Sequence, residues 1–263
     1  MKKWAGIILA GGSGSRMGSA TPKQFLELAG RPLLWHTLRA FSESPVEQLV
    51  LVVPGKKHGM ERAGRVSGVR PVEMADAAES YVERCRREYV GEWGFEKIAA
   101  VVEGGAERYD SVYAGLNALR GSGCEIVAIH DGARPLITAE RITASCEAAE
   151  IYGACVLAVP VKDTIKRADE ELCAAETLPR KQLWAVQTPQ SFRYELCLSA
   201  YDRMMRDPAL LRGVTDDAMV LERCTDTRVK LVMGDYQNLK VTTPEDMLAA
   251  EVYLRARKEK GIS

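Results

Sequence analysis

Short apolar runs alternate along the chain with longer segments in which apolar residues recur at helical spacing. The runs that read as strands are residues 7–10, 49–53, 98–102, 126–129, 154–159 and 229–233. Continuous runs rich in β-branched residues are typical of strands buried on both faces, which occur in parallel sheets covered by helices. The alternation therefore predicts an α/β protein with a doubly wound, mostly parallel sheet flanked by helices.

Helical spacing fills most of the intervals between these runs. The predicted helices are one that opens at Arg31-Pro32 and runs through Trp35, a charged one within 73–89, and two over 109–119 and 142–152. Two further helix starts follow near the C-terminus. Thr215 is predicted to cap the first, and Thr243 the second, where Pro244 takes an early position.

The alternation of strand and helix breaks after Pro160. Residues 161–167 alternate partly between polar and apolar, a polar tip follows, and the chain then returns toward Gln187. This pattern predicts a protruding β-hairpin, the arm, over residues 161–186. Residues 56–97 fit the alternation least well, and we interpret them as containing a surface insertion. Since there is no repeat and no linker, we treat residues 1–263 as a single domain with an arm.

Composition narrows the function classes. The chain is 46% hydrophobic and 27% charged, with formal net charge zero and a pI of about 6.8, which is ordinary for a soluble protein and disfavours a nucleic-acid binder. No apolar run is long enough to span a membrane. The seven cysteines form no C-x-x-C pair, so we expect buried free thiols in a reducing compartment and a cytoplasmic protein without membrane partners.

A glycine-rich turn follows the first predicted strand, and it is the strongest candidate for chemistry. Its residues are Ala10, Gly11, Gly12, Ser13 and Gly14. Backbone N–H groups in such turns bind anions, and Arg16 and Lys23 add full positive charges in what we expect to be a polar loop. A dinucleotide fingerprint is excluded because Met17 stands where its third glycine belongs, and no register gives a P-loop. The turn is therefore predicted to handle phosphate at the carboxyl edge of the sheet.

Asp131 follows the fourth predicted strand and is itself followed by Gly132. An aspartate at a strand end is well placed to hold Mg²⁺ through oxygen. The alternative is that Asp131 and Arg134 only pair with each other. The neighbouring His130 is expected to be structural rather than catalytic. A glycine pair also follows the third strand, in the stretch 103–112, where it could be a ligand loop or only a turn.

Taken in order, these motifs resemble those of the 2-C-methyl-D-erythritol 4-phosphate cytidylyltransferase family, which belongs to the CDP-alcohol-forming nucleotidyltransferases. The matching stretches are Leu9 to Gly18 with Pro22-Lys23-Gln24, 103–112, 130–135, 187–190, 215–218 and 238–246. The resemblance implies a Rossmann-like nucleotidyltransferase fold. It also implies transfer of a cytidylyl group from CTP to the polyol phosphate with Mg²⁺, and a homodimer in which the arm completes the partner's pocket.

The resemblance also implies roles for individual residues. Arg16 and Lys23 would be catalytic, and Asp131 would be the metal ligand. Contacts to the nucleotide would come from Ala10, Gly11, Gly12, Ser13, Gly14, Gly105, Ala106, Ser111 and Gly132. Contacts to the polyol phosphate would come from Thr164, Arg180, Thr188, Thr215, Lys240 and Arg134. Two positions depart from the family pattern, since Gly132 replaces an alanine and Ala106 replaces a residue that is often acidic.

Other functions remain open at this point. A ribitol-5-phosphate cytidylyltransferase shares the glycine turn, although the stretches around Thr188, Thr215 and Lys240 favour the methylerythritol phosphate family. A non-catalytic nucleotide-binding regulator could use the same fold, but Arg16, Lys23 and Asp131 are all present. A Rossmann oxidoreductase is disfavoured because the third glycine is missing.

Overall fold

A central seven-stranded sheet organises the protein. The computed structural model describes residues 3–11, 22–55 and 79–259. The strands within these ranges are β1 (Trp4–Leu9), β2 (Glu27–Leu28), β3 (Arg31–Pro32), β4 (Gln48–Val53), β5 (Ile98–Glu103), β6 (Ile126–Asp131), β7 (Ala154–Pro160), β8 (Lys166–Ala168), β9 (Ala174–Thr177), β10 (Trp184–Arg193) and β11 (Lys230–Met233). The strands β2-β3 and β8-β9 form two separate pairs, and the other seven form the central sheet, in the order β11-β7-β10-β6-β1-β4-β5. All neighbours are parallel except β10, which runs antiparallel to both β6 and β7. The predicted doubly wound, mostly parallel fold is confirmed.

Helices cover both faces of this sheet. Within the described ranges they are α1 (Leu33–Glu43), α2 (Tyr81–Cys85), α3 (Arg108–Ala118), α4 (Ala139–Tyr152), α5 (Tyr194–Arg206), α6 (Pro208–Leu211), α7 (Asp217–Cys224) and α8 (Pro244–Glu259). The chain continues beyond α2 as π-helical turns over Arg86–Glu92. No helix in this part of the chain is both long and apolar enough to cross a membrane.

The alternation of side chains along β1 explains why the sheet has two cores. Every residue of β1 is buried. Ile8 packs in one apolar cluster with Leu34 of α1 and Cys146 of α4, whereas Ile7 packs in a second cluster with Leu116 of α3. Because successive side chains of a strand point to opposite faces, a continuous apolar run fits a strand that is covered on both sides.

The segment after β7 contains a small hairpin. β8 and β9 pair antiparallel apart from the main sheet, and their residues are exposed. The chain then enters β10, a strand that the sequence analysis did not predict. Its polar residues Gln187, Thr188 and Gln190 are buried nonetheless.

One of the predicted helix starts differs in the structure. Asp216, not Thr215, caps α7, because its carboxylate accepts a hydrogen bond from the N–H of Met219. Within 73–89 the chain is helical from Tyr81 onward, and 73–78 lie outside the described residues. The predicted start at Thr243 is confirmed, since its hydroxyl accepts from the N–H of Asp246 at 3.4 Å.

The cysteines follow the prediction with one exception. All seven are free thiols, and six of them are buried. Cys173 is exposed near the tip of the hairpin. Burial raises the pKa of Cys85 and of Cys124 to about 12, so these thiols stay protonated at neutral pH.

Candidate functional site

The carboxyl ends of the four neighbouring parallel strands β5, β4, β1 and β6 meet at one edge of the sheet. Backbone hydrogen bonds continue just past these ends. The N–H of Ala10 donates to the carbonyl of Val52 at 2.7 Å, and the N–H of Gly132 donates to Leu9 at 2.9 Å. Ala10 and Gly132, both predicted nucleotide contacts, therefore begin the loops that leave this edge. Ligands bind at such an edge in open α/β sheets.

Only part of the glycine turn is described. Ala10 is buried and Gly11 half-buried at the strand end. Ser111, a predicted nucleotide contact on α3, lies beside Gly11, since a Cβ on that glycine would be 3.9 Å from the Ser111 Oγ. The predicted site residues Gly12, Ser13, Gly14 and Arg16 lie outside the described residues.

Asp131 ends β6 and lies between two cations. The Lys240 Nζ is 2.7 Å from its Oδ2, and the Arg108 Nε is 3.3 Å from its Oδ1. Burial alone would raise the pKa of this carboxyl, but the charges of Arg108 and Lys240 outweigh it and hold the pKa well below its usual range. Asp131 is therefore a carboxylate at neutral pH. Lys240, a predicted contact of the polyol phosphate, reaches Asp131 although the lysine side chain is 41% exposed.

A directed chain of hydrogen bonds fixes the backbone around Asp131. The Asp131 N–H donates to the Thr188 Oγ1 at 3.0 Å. That hydroxyl lies 3.1 Å from the His130 Nδ1, and the His130 Nε2 lies 3.3 Å from the Arg134 carbonyl. We assign the Thr188 proton to Nδ1 and the imidazole proton to Nε2, because the carbonyl can only accept. Burial lowers the pKa of His130 to about 3, so the imidazole is neutral and supports the loop.

The segment 238–241 brings further predicted residues to the same edge. The Arg134 Nη1 donates to the Asn238 carbonyl at 2.7 Å, and the Asn238 amide donates to the Thr188 carbonyl at 2.9 Å. Lys23 donates from Nζ to the carbonyl of Val241 at 2.7 Å. Lys23 is only 8% exposed. The expectation that it stands in a polar loop is therefore wrong, because this segment packs against it.

Arg134 is half-buried, and burial lowers the pKa of its guanidinium while the charge of Asp131 raises it. Its Nε is buried and makes no hydrogen bond within the described ranges. A half-buried guanidinium whose buried Nε makes no hydrogen bond among the described residues is suited to an anionic ligand.

Arg108 connects Asp131 to a second carboxylate. Its two terminal nitrogens each lie 2.8 Å from an oxygen of Asp217, which is fully buried at the start of α7. Tyr201 donates its hydroxyl proton to Asp217 at 2.6 Å. The sequence pattern does not single out Arg108, Asp217 or Tyr201. Arg108 stands in the motif at 103–112 and Asp217 in that at 215–218, but nothing in the sequence pairs them.

The predicted base-contacting loop leads from β5 into α3. Gly105 and Ala106 are exposed there, and the Ser111 hydroxyl donates to the Glu107 carbonyl at 3.3 Å. A Cβ on Gly105 would overlap the side chain of Asp110, whose carboxylate accepts from the Glu107 N–H at 3.0 Å. Glycine is thus required at Gly105 by close packing, whether or not the loop binds a base.

Three predicted site residues lie apart from this cluster. Thr164 and Arg180 are exposed in the arm, where the Arg180 Nη1 donates to the Lys162 carbonyl at 2.7 Å. Thr215 is exposed before α7. Within the described part of the chain, no hydrogen bond or ion pair links any of the three to Asp131.

The donor set around Asp131 suits one kind of metal binding only. Among the described residues, no group of three or more histidine, cysteine or carboxylate side chains could hold a metal ion. Mg²⁺, however, often binds through one carboxylate together with phosphate oxygens and waters. The single carboxylate Asp131 fits a cation that arrives with a triphosphate.

Comparisons with known proteins agree on one family. The profile of the 2-C-methyl-D-erythritol 4-phosphate cytidylyltransferase family matches residues 5–256. Proteins of that name from Alkaliphilus oremlandii and Pelotomaculum thermopropionicum are 41% and 43% identical over 259 and 258 residues, covering 98% of this chain in each case and 98% and 97% of the relatives. The crystal structure of 4-diphosphocytidyl-2C-methyl-D-erythritol synthase from Anaerococcus prevotii is similar in fold. It gives a TM-score of 0.71 at 28% identity, over 97% of this chain and 99% of the other.

Proposed function

The chain belongs to the 2-C-methyl-D-erythritol 4-phosphate cytidylyltransferase family, and we propose that the cations gathered around Asp131 form its reaction site. The reaction transfers a cytidylyl group from CTP to 2-C-methyl-D-erythritol 4-phosphate, giving 4-diphosphocytidyl-2-C-methyl-D-erythritol and pyrophosphate. It is a step of the non-mevalonate route to isoprenoids. The observation that carries the assignment of the site is the contact of Arg108 and Lys240 with Asp131 at the end of β6, where Arg134 adds positive charge.

In this reaction a phosphate oxygen of the polyol phosphate forms a bond to the α-phosphorus of CTP, and the bond to pyrophosphate breaks. Both reactants are anions, so the main tasks of the protein are to bring them together and to stabilise the negative charge. Backbone N–H groups of the turn from Ala10 to Gly14 would bind the triphosphate, with Arg16 and Lys23 as cations. Gly105, Ala106, Ser111 and Gly132 would contact the nucleoside.

The polyol phosphate would bind on the opposite side of the α-phosphorus. Among the described cations at this edge, Lys240 and Arg134 would bind its phosphate, and the buried Nε of Arg134 makes no other hydrogen bond there. Thr188 and Thr215 would contribute hydroxyl groups. Asp131 would hold Mg²⁺ together with triphosphate oxygens, and the bound cation would supply positive charge to them.

The arm would contribute to the site of a second subunit. Thr164 and Arg180 are exposed and have no contact with the cluster of their own subunit among the described residues. We infer that the active unit is a homodimer in which each arm carries these two residues to the partner's site, which agrees with closed two-fold symmetry. The residues 1–263 would then act as one domain with an arm.

The test of the function is a pyrophosphate-release assay with CTP and Mg²⁺. Purified protein is incubated in parallel with 2-C-methyl-D-erythritol 4-phosphate, with ribitol 5-phosphate and without an acceptor. We expect rapid release only with the methylerythritol phosphate. Release that is faster with ribitol phosphate would instead identify the alternative cytidylyltransferase. If CTP binds but pyrophosphate is released with neither acceptor, the protein is a non-catalytic nucleotide-binding protein.

A further inference from the structure

We propose that Asp217 and Tyr201 are positioning residues of the reaction site, which act on Asp131 through Arg108. The inference rests on the proposed function, because it takes Asp131 to be part of the reaction site. Neither residue contacts Asp131 directly. Asp217 and Tyr201 instead set the place and the direction of the guanidinium that does.

The geometry of Arg108 supports this assignment. Two of its nitrogens bind Asp217 at 2.8 Å each, in the planar two-bond arrangement that fixes a guanidinium in space. The remaining nitrogen, Nε, then lies 3.3 Å from the Oδ1 of Asp131. A rotation of the guanidinium would break both bonds to Asp217. The direction of Nε toward Asp131 is therefore determined by the carboxylate on the other side.

Asp217 is itself held at several points. It is fully buried, and its Oδ1 accepts the hydroxyl proton of Tyr201 at 2.6 Å. Its backbone N–H, like that of Ala218, donates to the Gln190 Oε1 at 3.0 Å. Gln190 belongs to β10, the strand next to β6, which ends at Asp131. The support thus runs from the sheet through α7 and α5 to one oxygen of Asp131.

This arrangement divides the tasks of the two Asp131 oxygens. Oδ1 faces the fixed Arg108, whereas Oδ2 faces Lys240, whose side chain is 41% exposed and can exchange for another cation. Asp217 also shares the positive charge of Arg108. If Asp217 lost its charge, Arg108 would be drawn to Asp131 alone, and that carboxylate would be less available to any other cation.

The protein contains a second set of the same residue types without this link, nearer the surface, in which the Arg120 side chain is 49% exposed and that of Asp202 26%. Asp202 accepts the hydroxyl proton of Tyr113 at 2.7 Å, and Arg120 binds both of its oxygens at 3.0 and 3.2 Å. Both sets link α3 to α5, the first through Asp217 of α7, but among the described residues no hydrogen bond or ion pair joins the second set to Asp131. It therefore provides the control for the contribution of such a set to stability alone.

The experiment compares Tyr201→Phe and Asp217→Asn with Tyr113→Phe and Asp202→Asn. Each variant of the full-length enzyme is assayed for kcat, for KM with each substrate, for CTP affinity by calorimetry and for thermal stability. We expect kcat of Tyr201→Phe and Asp217→Asn to fall about 10- to 100-fold, the range typical of residues that hydrogen-bond to a ligating side chain and orient it. KM and CTP affinity should stay within about threefold of the values of the unaltered enzyme. The two control variants should lose stability without a change of kcat beyond about twofold.

Asp131→Asn is measured beside them so that two kinds of failure can be told apart. If Asp131→Asn is impaired but Tyr201→Phe and Asp217→Asn keep full kcat, the positioning role is wrong and the site stands. If Asp131→Asn is fully active, the proposed site itself is wrong. An equal fall of kcat in the controls would overturn the proposal as well. Should Asp217→Asn fail to fold, Tyr201→Phe decides, because it removes a single hydroxyl.

Discussion

The replacement of Lys23 by methionine tests catalysis and packing in one variant. Methionine has nearly the volume of lysine but removes the charge and the hydrogen bond to the Val241 carbonyl, which is 2.7 Å long and buried. A hydrogen bond from a charged donor contributes about 1.5–3 kcal/mol, so we expect a loss of about 2 kcal/mol in the free energy of unfolding. For a protein of this size that lowers Tm by roughly 4–8 °C. Turnover should fall on the order of 100-fold or more, because charge stabilisation of the transition state is lost.

Lys97 provides the matched control. Its Nζ also donates to a backbone carbonyl at 2.7 Å, that of Ser44, and it is half-buried at the far end of the strands. Lys97→Met should lower Tm by less than Lys23→Met and leave turnover unchanged. The assays are pyrophosphate release and thermal denaturation. Near-normal turnover of Lys23→Met would remove Lys23 from the mechanism, and an unchanged Tm would refute the buried hydrogen bond as a source of stability.

Three further predictions concern the metal, the arm and pH. Asp131→Asn should raise the Mg²⁺ concentration needed for half-maximal activity, and full activity of the unaltered enzyme in excess chelator would contradict the metal assignment. Mixing equal amounts of Arg180→Ala and Lys23→Ala subunits should restore about a quarter of the sites after exchange, because half of the dimers are then mixed and each mixed dimer has one intact site of two. No recovery of activity despite subunit exchange would place Arg180 outside the partner's site. Burial lowers the pKa of His130 to about 3 in the folded protein, whereas the same side chain in the unfolded chain takes up a proton near pH 6.5. Protonation therefore favours the unfolded chain, and the free energy of unfolding should fall by about 2 kcal/mol from pH 7 to pH 5. In urea unfolding, the free energy of unfolding of His130→Gln should fall by about 2 kcal/mol less over this pH range than that of the unaltered protein. The same pH dependence in both proteins would contradict this prediction.

The sheet could be predicted because its signal is local. A run such as 49–53 is apolar at every position, and this pattern indicates burial on both faces without knowledge of the neighbours. β10 lacked this signal, since it contains Pro189 and several buried polar residues. Its Gln187 is hydrogen-bonded to Asp235 and Asn238, which lie far along the chain. Its Gln190 is hydrogen-bonded to the equally distant segment 216–218. A strand whose polar side chains are needed by distant loops does not look like a strand in the sequence.

Helix starts illustrate a finer limit. The start of α7 lies in a run of three residues that all favour a helix cap, Thr215, Asp216 and Asp217. The residue types therefore limit the cap to these three positions but do not identify which of them it is. The structure selects Asp216, and this choice has a consequence for the site. With Asp216 as the cap, the next residue enters the first turn of α7 and turns its carboxylate toward Arg108.

The sequence suggests candidate residues for the site but not how their charges pair. Lys240 and Asp131 were both expected at the site, yet their 2.7 Å ion pair depends on how the segment 238–241 packs against the end of β6. Arg108 and Asp217 are 109 residues apart in sequence, and only the folded chain brings them together. Among the described residues of this cluster, the cations Arg108, Lys240 and Arg134 then lie near two carboxylates. The excess of one positive charge in a partly buried cluster favours anionic ligands, which is the property that a reaction between two phosphate compounds requires.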